Sequence, residues 1–225
     1  MIADAVHSLS DFITDIIVVV FVRLGNKPED RDHDYGHGKY ETLATAIIGI
    51  TLLLVGAMIC YGGADKVLKA WQGEAPAMPG VIAFVAAVVS IVLKEWAYRF
   101  TAAAGRRVQS QAVVANAWHH RSDALSSIGT GIGIGGALLL GDKWTVLDPI
   151  AAIIVSFFIM RTAWTLLRDA LGELLEESLP EAMEKEIVDL VLKEHEVSEI
   201  HHLRTRRIGS HIAIDMHVRM PGDTS

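Results

Sequence analysis

The chain has 225 residues, of which 51% are hydrophobic and only 21% charged, with a formal net charge of −7. The apolar excess excludes an ordinary soluble domain, and the negative balance argues against a nucleic-acid partner. The one cysteine, Cys60, lies in an apolar stretch, so neither a disulfide framework nor a cysteine-based zinc site can be built.

Hydropathy divides the sequence in two. Residues 1–168 carry long apolar runs, whereas 169–225 are dense in Glu, Asp, Lys, Arg and His. The division predicts a helical membrane domain followed by a small soluble one. No cleavable signal peptide is evident, because the first residues lack a basic region and Asp4, Asp11 and Asp15 interrupt any apolar core.

Five segments reach the ~20 residues that a helical span needs. They cover about 2–24, 42–61 (extending to about 68), 79–100, 112–140 and 144–167. Loop 23–41 holds Arg23, Lys27, Arg31 and Lys39, and link 99–111 holds Arg99, Arg106 and Arg107. The intervening connections are poorer, with Lys66 and Lys69 in 65–80 and Lys143 in 141–148. This alternation assigns the two rich loops and the C-terminal domain to the cytoplasm. It also puts Met1 on the outer side or partway into the membrane. An upstream helix, lost by truncation or a misassigned start, is therefore expected.

The first span carries Asp4, His7, Asp11 and Asp15, spaced three, four and four apart, which puts them on one helix face. The fourth carries His119 and Asp123, again four apart. Two such helices face to face would offer two imidazole nitrogens and two carboxylate oxygens, a donor set suited to tetrahedral zinc. Ionisable groups in a span are costly, by roughly 2.5–3.5 kcal/mol each on insertion scales, and usually mark ion pathways. No Lys or Arg is expected in the core of the spans to neutralise them, and a divalent cation would do so directly. Pairing for packing alone is the competing explanation. Gly129, Gly131, Gly133, Gly135 and Gly136 also crowd the fourth span, as tight helix packing would require.

In the first cytoplasmic loop, Asp30, His33 and His37 would converge on one ion in a helical turn, unless 29–32 is simply a solvated charge run. Tyr35-Gly36-His37-Gly38 reads as a tight, glycine-bounded turn. In the soluble part a helix is predicted over 180–195, with Pro180 at its start. Strands are predicted over 197–208 and 211–220, joined at Gly209-Ser210. The second alternates cleanly, with Ile212, Ile214, Met216, Val218 and Met220 on one face. A unit of about 45 residues buries little core, so it should pack on a partner copy or be cut short at Ser225.

Four stretches together resemble the cation diffusion facilitator family. Ala-Asp-Ala-Val-His-Ser-Leu-Ser-Asp (3–11) and His-His-Arg-Ser-Asp (119–123) are similar to its two membrane metal motifs. Tyr-Gly-His-Gly-Lys-Tyr-Glu (35–41) is similar to its loop signature, and His-His-Leu-Arg-Thr-Arg (201–206) to the first strand of its cytoplasmic domain. The resemblance covers nearly the whole chain, in order. It implies an α-helical membrane protein of six spans, five of them present here. It also implies a small α+β cytoplasmic domain of αββαβ type, here stopping after αββ. The domains are then 1–168 for transport and 169–225 for metal sensing and dimerisation.

The resemblance further implies a homodimer that exports a divalent cation in exchange for protons from a cell membrane, most readily a bacterial inner membrane, and is not an enzyme. By motif position His7, Asp11, His119 and Asp123 form the transport site. Asp30, His33 and His37 form a secondary metal site, and His201 and His217 match regulatory ligands, with His202, His211 and Asp215 nearby. Lys39 and Glu176 match a charge interlock. The His/Asp pattern ranks zinc first, with iron, cadmium, cobalt, nickel and manganese as alternative cargo. Because ligands must be deprotonated, metal binding displaces protons, and histidine with its reference pKa of ~6.5 suits that exchange. The runner-up is a membrane-anchored metal-binding sensor or scaffold that does not transport. An intramembrane metalloprotease is disfavoured, since no His-Glu-x-x-His occurs.

Overall fold

The computed structural model describes residues 15–72, 81–140 and 146–221. His7 and Asp11, with Asp4, lie outside the described residues. Helix α1 is described over 15–25, and α2 (Lys39–Trp71), α3 (Val81–Arg107), α4 (Gln111–Leu140) and α5 (Leu147–Leu174) follow. A short α6 (Glu181–Val191) leads into strands β1 (Glu199–Ile208) and β2 (His211–Arg219). Helices α2 to α5 occupy the places expected for the last four spans, and the described part of α1 falls at the end of the first.

Local chemistry explains where these helices start and stop. Glu41 lies in the first turn of α2, and Lys69 in its last turn reaches back to Asp65 at 2.7 Å. Arg106 and Arg107 close α3. Ser110 precedes α4 and its hydroxyl accepts from the N–H of Val113 at 3.3 Å, as an N-cap does. The buried Glu41 carboxylate accepts from Ala112 N–H at 3.4 Å, so one acidic side chain serves the starts of two helices.

Helix α2 packs along α5 and touches α4, which in turn lies against α3 and α5. Val18 of α1, Ile48 and Leu52 of α2, Ala115 of α4 and Ala163 of α5 form the buried centre. The seam between α2 and α5 runs along Gly49, Gly56 and Gly63, seven apart. A Cβ on Gly63 would lie 3.0 Å from the Pro149 carbonyl oxygen, and one on Gly56 would lie 2.7 Å from Met160 Cγ. Close approach here depends on α2. Gly131 and Gly136 of α4 meet only the side-chain ends of Ile91 and Leu147.

The outer surface of the bundle is apolar: Met58, Tyr61, Trp71, Val92, Trp96, Phe100, Phe157 and Trp164 are all exposed. Among the described residues, Lys39–Trp71 and Pro149–Leu174 are long and apolar enough on composition to cross a membrane. Lys94, Glu95 and Arg99 in α3, and the charged motif in α4, lower the hydropathy of those helices.

The cytoplasmic part is an antiparallel hairpin plus α6. Its register pairs Ile208 with His211 and Glu199 with Arg219, around a shift between His201 and Arg204. Gly209 supplies the positive φ of +61° that the tight turn needs. The buried Thr205 hydroxyl donates to Glu184 at 2.6 Å and accepts from Leu179 N–H at 3.0 Å, tying β1 to α6 and to the segment before it. Ile212, Ile214 and Val218 remain exposed on β2, as expected of a unit that must pack on something further.

Candidate metal centres

Within α4, Asn116, His119, His120 and Asp123 fall at helical spacing on one side. His119 and Asp123 are both buried, with Nε2 and Oδ2 3.9 Å apart, a separation that one ion between them would span. They supply half of the expected four-ligand set, whose other half, His7 and Asp11, lies outside the described residues.

Arg121 corrects one expectation. A basic residue does stand in the span, two positions before Asp123. Its guanidinium donates to the Tyr98 hydroxyl at 2.9 Å and lies 4.5 Å above that ring and 5.0 Å above the Trp118 ring. Two aromatic faces thus accommodate the cation within the bundle. The Arg lies inside the ligand motif itself, between the His pair and Asp123.

Sequence reasoning also missed Asn116 and His120. Asp15 of α1 accepts from Asn116 Nδ2 at 2.8 Å, and His120 Nε2 lies 3.7 Å from the same oxygen. Both α4 residues stand one turn or less from the His119/Asp123 pair, a spacing that could have found them.

The loop triad does converge, but not through a helix. Residues 27–37 form turns and bends, and the Asp30 carboxylate organises them. Its Oδ1 accepts from the backbone N–H groups of Asp32 at 3.0 Å and His33 at 2.9 Å, an Asx turn. His33 Nδ1 lies 3.2 Å from Oδ1, and His37 Nε2 lies 3.4 Å from Oδ2. All three ligand atoms fall within 4.8 Å of one another. The buried His37 pairs its Nδ1 with the Pro28 carbonyl at 3.1 Å, which fixes the tautomer and leaves Nε2 as the ligand. Asp30 is held below the ordinary carboxylate range, first by the Asp32 N–H and then by the two histidines. A carboxylate kept ionised beside two imidazoles fits a divalent metal of the zinc type.

Lys39 and Glu176 meet in an ion pair, and Arg206 of β1 approaches the same carboxylate at 3.5 Å. The Lys39 hydrogen bond is the main cause of a lowered Glu176 pKa, with Arg206 adding to it. Arg206 also lies 4.4 Å over the Tyr35 ring, and its pKa is raised first by side-chain hydrogen bonding with Tyr35 and further by the Glu176 charge. In the hairpin, His201 and His217 are cross-strand partners, yet His201 turns to Glu199 at 3.1 Å. The ring nearest His217 is that of His202, 5.2 Å away, at the register shift where His202 adopts φ +52°. His202, Asp215 and His217 line one open pocket.

Residues 1–175 match the cation efflux transmembrane domain, and 179–225 match the cation efflux protein cytoplasmic domain. The chain belongs to the cation efflux family. This is a family of membrane transporters rather than enzymes, with the C-terminal domain in the cytoplasm. Metal tolerance protein C1 of Arabidopsis thaliana is 34% identical over 97% of this chain and 48% of its own length. Manganese efflux system protein MneP of Bacillus subtilis is 31% identical over 98% of this chain and 74% of its own. An uncharacterized transporter of Methanocaldococcus jannaschii is 32% identical over all of this chain and 77% of its own. The chain thus spans about half the length of the plant relative and about three quarters of the other two.

Proposed function

We propose that this cation efflux family member exports a divalent metal ion through His7, Asp11, His119 and Asp123, working as a homodimer. Its transport unit is 1–168 and its cytoplasmic unit 169–225. The observation that carries the reading is the burial of His119 and Asp123 side by side in a helix of the transmembrane domain. Such a pair is expensive in lipid unless it serves an ion. The proposed location is a cell membrane, a bacterial inner membrane in the first instance.

Two imidazoles and two carboxylates favour zinc. Manganese is the competing cargo, because the Bacillus relative is named for it. Iron, cadmium, cobalt and nickel remain further candidates on donor chemistry. Ligands must lose their protons to bind metal, so protons taken up from the outer side would release the cation, and loss of protons to the cytoplasm would restore the site. Rocking of the helices around this fixed point would give alternating access.

The second reading is a metal-binding scaffold without transport. It draws on the loop triad lying beside the residues that dock the cytoplasmic hairpin. Radioactive zinc and manganese fluxes in proteoliposomes separate the two. Export driven by an imposed pH gradient and lost in His119→Ala and Asp123→Ala supports antiport at this site. Flux that ignores the gradient removes the proton half, and full flux in both variants removes the site.

A further inference from the structure

Asp15, Asn116 and His120 make a second polar cluster within the bundle, and the transport cycle above does not use it. Asn116 is buried, and among the described residues its Oδ1 has no hydrogen-bond partner. His120 is largely covered and Asp15 is half-exposed. The cluster is therefore closed on the α4 side and open on the α1 side.

Its depth follows from chain direction. Helix α1 runs on into the 26–38 loop, and α4 begins from the 108–110 turn, both on the side assigned to the cytoplasm. Asn116 lies one turn nearer that end than His119 and His120 do. The His119 and His120 ring centroids are 6.1 Å apart. A cation coming from the cytoplasm would meet Asn116, and the Asp15 carboxylate bonded to it, before the His119/Asp123 pair, with His120 level with His119.

As packing, the cluster is poorly made. The contact from His120 to Asp15, at 3.7 Å, is too long for a hydrogen bond. The Asn116 amide also leaves a buried acceptor unmatched. A divalent cation removes both defects. It would ligate the Asp15 carboxylate and the His120 imidazole together. Half a turn of the Asn116 amide exchanges its NH₂ for Oδ1 next to Asp15, adding a neutral oxygen ligand.

We infer that Asp15, Asn116 and His120 form a loading site, where a divalent cation from the cytoplasm gives up part of its water before passing to the His119/Asp123 site. The inference rests on the transport reading. The cluster carries one carboxylate and the proposed transport site carries two, so the ion gains attraction by moving inward.

The test uses the full chain in lipid nanodiscs with radioactive Zn²⁺ as probe. In a His119→Ala/Asp123→Ala background, adding Asp15→Asn with His120→Gln should lower the zinc bound per chain by one ion, while Asp15→Glu retains it. In proteoliposomes, Asp15→Asn alone should raise the KM for zinc about tenfold and change kcat less than twofold. Unchanged stoichiometry, or a fall in kcat at constant KM, overturns the loading site. If the unmutated chain moves no zinc while the stoichiometry still falls by one, the transport reading fails and the site stands.

Discussion

Glu173, near the end of α5, accepts a 2.6 Å hydrogen bond from the backbone N–H of Gly209 at the tip of the cytoplasmic hairpin. The same oxygen accepts the Thr42 hydroxyl at 2.5 Å. One buried carboxylate therefore joins α2, α5 and the hairpin. Glu173→Ala should leave two donors unmatched, at about 1–3 kcal/mol for each buried group. Hydrogen exchange at Gly209 should quicken, and protease should cut the 209–210 turn sooner. Glu173→Gln keeps an accepting oxygen and should lose much less.

Beside it, the Lys39–Glu176–Arg206 cluster should give hairpin docking an acid limb. The Lys39 ammonium holds the Glu176 carboxyl below the usual glutamate value of about 4.5. A depressed carboxylate contributes its stability above the unfolded value and loses it as pH falls through the folded one. Docking should therefore hold at pH 5 and above and weaken progressively below about 4.5. All three side chains are partly exposed, so each pair is worth about 0–1 kcal/mol. Glu176→Gln should remove that pH dependence while leaving docking at pH 7 only slightly weaker, read by protease protection across a pH series.

How far these features were legible beforehand varies with their physical origin. The β hairpin and its turn at Gly209 followed from strict alternation and one glycine, since both signals are local. The Asp30, His33 and His37 grouping was also legible, but its mechanism was not. Their spacing fits a helical face, whereas the Asp30 carboxylate captures two backbone N–H groups and holds a turn instead. The Asp15 to Asn116 hydrogen bond joins residues 101 apart on different helices, and no one-dimensional pattern carries that. The glycine-dense stretch of α4 is the louder packing signal in the sequence, but close backbone approach also falls on α2. There the sparser Gly49, Gly56 and Gly63 repeat marks a close seam with α5.

That seam gives a third prediction. A methyl group on Gly63 would come within 2.8 Å of Ile153 Cγ1 and 3.0 Å of the Pro149 carbonyl oxygen. The side chain can turn away but the carbonyl is backbone, so α2 and α5 must separate. Gly63→Ala should cost about 1–3 kcal/mol, as overpacking usually does. Gly62→Ala is its control, because that position faces open space. Melting of the two variants in detergent should differ by several degrees, with Gly63→Ala lower.

The loop triad supplies the last prediction. His37 is buried and its Nδ1 is taken by the Pro28 carbonyl, so its Nε2 is the ligand held most rigidly. His33 is far more exposed, and Asp30 brings the charge. Removing His37 should therefore cost more metal affinity than removing His33, with losses on the order of 10–100-fold for His37→Ala. Asp30→Asn should weaken binding by replacing an ionised ligand with a neutral one. The ionised carboxylate also holds the backbone N–H groups of Asp32 and His33, so Asp30→Asn should loosen the turn even without metal. Calorimetric zinc titration of the full chain, in a His119→Ala/Asp123→Ala background, measures the affinities. Hydrogen exchange at Asp32 and His33 measures the turn. Equal losses for His33→Ala and His37→Ala would mean that the Pro28 carbonyl does not preorganise the site.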